Sequence, residues 1–228
     1  TGAAAVCCDY SLVGEHTLSV GEVVRNNTKD QTGILGEAEH KRLLLCPGSM
    51  VVKIYRHSVI REHHLRFPEG IFYEDNCAGP LWSLYFTRFE RVEEPLYYYY
   101  QHGSSTVHRI TEERCRDRMK AGEIIMEECR KRGFLEQYEK EIAYRFTELY
   151  YVITLFSYMQ GVKRPKLTFI RQLRRGLAGV FPDFEKNPYY RERIGQEEQR
   201  LIALQGRSDL QFYWYYRMKL FVRRCRQR

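Results

Sequence analysis

Two adjacent acids, Glu74 and Asp75, stand in the stretch FPEGIFYEDNCAGPLW, residues 67–82, which holds no Lys or Arg although the chain carries a net charge of +8. A glycine turn and bulky residues precede the pair and an apolar run follows it, so the pair sits about where a helix begins. Two roles are open for carboxylates there. One is to take a proton from an attacking hydroxyl, which typically contributes roughly 10²–10⁴-fold to a rate. The other is purely local, with Asp75 or Asn76 capping the helix. A second polar cluster, QHGSSTVH at residues 101–108, offers the hydroxyls of Ser104, Ser105 and Thr106 as donors, and His102 or His108 as a ligand for a metal or a phosphate. It also reads as a polar loop capping the helix that follows. Lys53 and Arg56, in VVKIYRHSVI, add cationic groups that ordinarily face water. His63 and His64 lack partners at ligand spacing and read as surface residues.

These residues need a scaffold, and 228 residues with 43% hydrophobic content are enough to bury a core in one or two domains. The longest apolar run, residues 149–156 broken only by Thr154, is far short of the roughly 20 residues a membrane span requires. The opening TGAAAVCCDY has neither an initiator Met nor a basic region, so it reads as a chain entered midway rather than as a signal peptide. Seven cysteines with no C-x-x-C pair suggest reduced thiols and a cytoplasmic setting. Charge is concentrated at one end: residues 207–228 hold seven Lys or Arg against one Asp, a net +6, leaving +2 for the rest. So neutral a body argues against a domain that wraps nucleic acid.

Along the chain, residues 3–13 read as a buried strand in which Cys7 and Cys8 face opposite ways. A helix carries Leu43 to Leu45 and stops at Pro47-Gly48. MVVKIYRHSVI fits either a strand or the start of a helix. From Asn76 a helix is expected with Leu81, Leu84 and Tyr85 on one face. FERVEEPLYYYYQ reads as a short strand, a Pro break and an aromatic extended segment whose tyrosines, Tyr97 to Tyr100, alternate in direction. Beyond Thr111 the pattern turns helical. Cys115, Met119, Gly122, Met126 and Cys129 recur at helical spacing, and a second stripe runs through Tyr138, Ile142, Phe146, Leu149, Ile153 and Phe156. Pro165, Pro182 and Pro188 divide the remainder into shorter helices. In the basic tail, residues 209–228, Leu210, Trp214, Met218, Phe221 and Val222 share one helical face. That face would either rest on an anionic membrane surface or pack on the preceding helices.

The succession CCDY, LLLCPGS, VVKIYRHSVI, FPEGIFYEDN and PLYYYYQHGSSTVH resembles the second half of a family 2 glycosyltransferase with the GT-A fold. The likeness covers residues 1–108, and residues 109–228 resemble the variable helical extension behind such domains. The fold expected is α/β, a partial Rossmann-like GT-A domain with few strands followed by a mainly helical part. The resemblance implies transfer of a sugar from a nucleotide-diphosphate donor to a hydroxyl of a glycan or lipid-linked acceptor, with inversion, in the synthesis of a surface polysaccharide at the inner face of the membrane. It assigns the catalytic base to Asp75 with Glu74 beside it, the acceptor side to Lys53 and Arg56, and the diphosphate side to His102, Ser104, Ser105 and Thr106. Many relatives have an Arg where this chain has Gln101 and His102. In the family a D-x-D motif holds Mg or Mn on the diphosphate. The six Asp here, at 9, 30, 75, 117, 183 and 209, include no such spacing, so the chain reads as a truncated C-terminal portion, inactive alone. The competing expectation is a non-catalytic basic module for nucleic acid or an acidic partner, which the neutral body disfavours.

Overall fold

The computed structural model describes residues 2–14, 20–101 and 110–226. It is a mixed α/β structure in two compact units, Thr1–Arg109 with Glu128–Arg132, and Ile110–Glu127 with Gly133–Arg228.

The first unit is built on a five-stranded mixed sheet centred on β1 (Ala5–Gly14). β5 (Arg88–Gln101) runs parallel to β1 along one edge. The other edge pairs antiparallel with β4 (Lys53–Tyr55) in its first half and β2 (Val20–Val24) in its second. β3 (Gly33–Ile34) meets only the start of β5. Burial alternates residue by residue along β1, with Cys7 buried and Cys8 half-buried, as the period-two geometry of a strand requires.

The stretch around Pro95 does not interrupt β5. The pairing slips instead, with Cys8 opposite Val92 and Asp9 opposite Pro95. A bulge accommodates a residue that has no N–H to give the ladder, and past Phe89 no described strand pairs with the other side of β5. The ambiguous MVVKIYRHSVI supplies both readings in turn, β4 and then α2 (His57–Glu62).

Parallel neighbours need a crossover connection, and here it carries α1 (Glu37–Leu45), α2 and α3 (Glu74–Ser83). Buried Leu43 to Leu45 anchor α1. Its last carbonyls are tied off by the buried Gln31, whose amide donates to Cys46 O at 2.7 Å and Arg42 O at 3.2 Å. Every residue of α3 from Cys77 to Ser83 is buried, and Gly79 lets it approach the Pro47 and Met50 side chains, to which a Cβ would lie 3.4 and 3.6 Å away. Trp82 then locks α3 to β4 by an edge-on contact with Tyr55, ring centres 5.3 Å apart, and to the FPEG segment through Phe67 at 4.9 Å.

Helices make up the second unit. α4 (Glu112–Lys131) bears the expected stripe and ends among residues of the first unit, where Arg132 donates to Tyr85 Oη at 3.0 Å and His63 O at 2.9 Å. His63 is therefore not a free surface residue: its ring stacks on Tyr85 at 4.2 Å. α5 (Glu139–Phe146) and α6 (Thr154–Gly161) are joined without a break by a π-helical stretch, Thr147–Ile153. α7 (Leu167–Val180), α8 (Pro188–Arg193), α9 (Gln196–Arg207) and α10 (Asp209–Arg226) complete the unit. Its core is rich in tyrosine, and the two deepest hydroxyls, those of Tyr151 and Tyr158, have partners, as burial demands. Tyr151 donates to Gln205 Oε1 at 2.7 Å, and Tyr158 lies 3.3 Å from Glu112 Oε2.

Candidate functional site

Glu74 and Asp75 occupy the first turn of α3, two residues earlier than the helix expected from Asn76. Neither Asp75 nor Asn76 caps it. The N-cap is Tyr73, whose side chain makes no capping bond, so the local role considered for the acids reduces to favourable placement at the positive end of the helix dipole. Both carboxylates are exposed. Among the described residues neither takes part in an ion pair, and the one hydrogen bond to Asp75 comes from the neighbouring Asn76 amide at 3.1 Å.

Two exposed carboxylates, without a counter-ion among the described residues, thus stand on a helix that is buried from Cys77 to Ser83. Four residues, 84–87, separate the end of α3 from the start of β5. A carboxylate with no counter-ion, held on a rigid element, is equipped to accept a proton from a hydroxyl brought against it.

Lys53 and Arg56 differ in setting. Lys53 turns its ammonium inward, donating to Pro47 O and lying 5.7 Å from the ring centre of the fully buried Phe89. Burial pushes this lysine down to about 8 and the Cys7 thiol up to about 11, because each charged form is disfavoured away from water. Its role is structural, since Pro47 is also the residue against which Gly79 of α3 packs. Arg56 is exposed, stands at the N-cap of α2 and donates from Nε to Ala3 O at 3.0 Å. His102, Ser104, Ser105, Thr106 and His108 lie outside the described residues.

The buried pair of Asp9 and Arg91 was not singled out from sequence. Arg91 Nη2 donates to Asp9 Oδ2 at 3.2 Å, and Asp9 Oδ1 accepts from Asn26 N at 3.0 Å. Asn26 in turn holds Ser49, accepting from Ser49 N at 2.7 Å and donating to Ser49 O at 3.3 Å. This chain of bonds fastens the two parallel strands to the crossover segment ahead of α3. Its only sequence signal was an acid at a core-facing position of a strand.

The described residues do not make a site for the Mg or Mn that the resemblance implies. Among the described residues no three His, Cys, Asp or Glu converge on a point that could hold a metal, and no D-x-D occurs in the sequence. No known protein family matches the chain, and no curated protein matches its sequence.

Proposed function

We propose that this chain is the acceptor-side portion of an inverting glycosyltransferase of the GT-A type, in which Asp75 is the base. The acceptor hydroxyl gives its proton to the Asp75 carboxylate as its oxygen bonds to the anomeric carbon, while the bond from that carbon to the nucleoside diphosphate breaks on the opposite face. Glu74 sits beside the base and orders the acceptor. The diphosphate clamp belongs to a D-x-D half that this chain does not contain, and no step assigned to these residues passes through it. The acceptor is a surface or lipid-linked glycan handled on the cytoplasmic side of the membrane.

One observation carries this reading: Asp75 is an exposed carboxylate with no counter-ion among the described residues, on a helix otherwise buried in the crossover between two parallel strands. Among the described residues Asp75 neither caps the helix nor pairs with a cation. The test is a transfer assay on a polypeptide in which this chain is joined to a D-x-D half, with the anomeric configuration of the first product read by proton NMR. Inversion relative to the donor is expected, since a single displacement needs one base and no covalent intermediate. Retention, or no transfer from any nucleotide sugar, would remove the proposal.

A further inference from the structure

Among the described residues no helix is long and apolar enough to cross a membrane, yet α10 leaves a broad apolar face uncovered. One side of this helix is seated on the second unit. Phe212 and Tyr216 are buried, with Tyr216 against Phe156 at 5.7 Å and its hydroxyl accepting from Gln160 Nε2 at 2.8 Å. Tyr213 lies on the same side and donates to Pro165 O at 3.0 Å. The stripe expected from sequence to pack or to meet a membrane is a different side. Leu210, Trp214, Met218 and Phe221 are 53, 64, 61 and 67% exposed, and Tyr215 and Val222 are exposed with them.

At 3.6 residues per turn these six side chains span an arc of about 140°, interrupted by Gln211 in the first turn. Arg217 and Arg224 lie just beyond one border of the arc, and Lys219 and Arg226 just beyond the other. The single acid of the helix, Asp209, is engaged by Arg171 at 3.2 Å, and Lys219 pairs with Glu197 of α9. Arg217, Arg224 and Arg226 make no ion pair among the described residues.

We infer that α10 docks the protein flat on an anionic lipid surface, its apolar arc sunk among the acyl chains and its flanking arginines against the headgroups. An apolar arc bordered on both sides by cations, with the opposite side fixed to a folded body, is the pattern of a helix that lies in the interface plane. The charge decides between occupants. Nucleic acid would meet the arginines but leave Trp214, Met218 and Phe221 with nothing to bury against. A second copy would cover the arc but bring like-charged borders together, which disfavours the pairing. Anionic headgroups above acyl chains satisfy both features. This inference is independent of the reaction proposed above.

The experiment uses the whole chain with phosphatidylcholine vesicles that contain or lack phosphatidylglycerol, read by co-sedimentation and by tryptophan emission. Only two tryptophans contribute, and Trp82 is buried, so a change reports Trp214. Expected are a blue shift with anionic vesicles, quenching by brominated acyl chains, and weaker binding as salt rises. Replacing Arg217, Arg224 and Arg226 by Gln should lower partitioning about a hundredfold, from roughly fivefold per basic residue. Phe221→Ser with Met218→Ser should abolish the shift, with circular dichroism and Tm confirming that the fold is kept. Equal binding to neutral vesicles, no binding at low salt, indifference to both sets of substitutions, or a self-association that alone accounts for the Trp214 shift would each overturn the inference.

Discussion

Lys53 carries its charge in a setting that resists it, and that has a consequence measurable in solution. Burial lowers its folded value to about 8, below the value of about 10.4 for an exposed lysine. The protonated form is then destabilised only in the folded state. Below pH 8 both states are charged and the full cost is present; above it the folded state sheds the proton first, and stability gained from this residue rises with pH. Between pH 7 and pH 9 wild type should gain on the order of 1 kcal/mol relative to Lys53→Met in urea unfolding. A difference that does not vary with pH would show that the ammonium reaches water. Asp9 makes the opposite case, because it is paired. Asp9→Ala removes one of the two carboxylates on the buried Arg91, Glu93 staying at 2.9 Å, and strips Asn26 N of its acceptor; it should cost about 1–3 kcal/mol, whereas loss of an exposed pair such as Lys186 with Asp183 should cost under about 1 kcal/mol. Equal small losses would mean that the Asp9 site admits water. The sequence made Glu74 and Asp75 conspicuous, since acids without nearby cations stand out in a basic chain. It gave no hint that Lys53 points inward, because a lysine in a loosely alternating strand looks the same whichever way its long side chain runs.

At the scale of elements, periodicity revealed β1, α1 and α4, whose patterns are uniform from end to end. It failed where the backbone changes its own period. The stripe through Leu149 places Ile153 in the core, but Ile153 is 37% exposed while Tyr150, Tyr151 and Val152 are buried. A π-helical stretch closes its bonds over five residues rather than four, and the buried face rotates as it passes. Thr154 Oγ1 follows the same spacing, donating to Leu149 O at 2.7 Å. The shift turns Tyr150 toward α7, where a Cβ on Gly176 would lie 2.0 Å from the tyrosine hydroxyl. Gly176→Ala should therefore destabilise by about 1–3 kcal/mol, a fall of several degrees in Tm by calorimetry. An unchanged Tm would place the tyrosine elsewhere. Pro95 taught the companion lesson for strands: a bulge in the ladder with β1, on a strand whose other side pairs with no described strand there, absorbs a proline that sequence alone reads as a break.

In the whole molecule a sheet unit presents the acids of α3, and a helical unit presents the apolar arc of α10. Among the described residues no group of His, Cys, Asp or Glu could hold a metal as a clamp on a diphosphate, and the sequence has no D-x-D. The chain alone should therefore bind nucleotide sugars only weakly, because stabilising the departing diphosphate is the work of such a clamp. Isothermal titration with several nucleotide sugars in Mn²⁺ should show no micromolar binding, and micromolar affinity would mean that the donor site is here. The central claim, that Asp75 takes the acceptor proton, is tested most directly by Asp75→Asn in a polypeptide that also carries the D-x-D half. Asn keeps the size and the helix start but cannot accept the proton, so kcat should fall by at least about a hundredfold while donor affinity stays at the wild-type value. Retention of more than about a tenth of the wild-type kcat would contradict the assignment, because a positioned general base contributes far more than that.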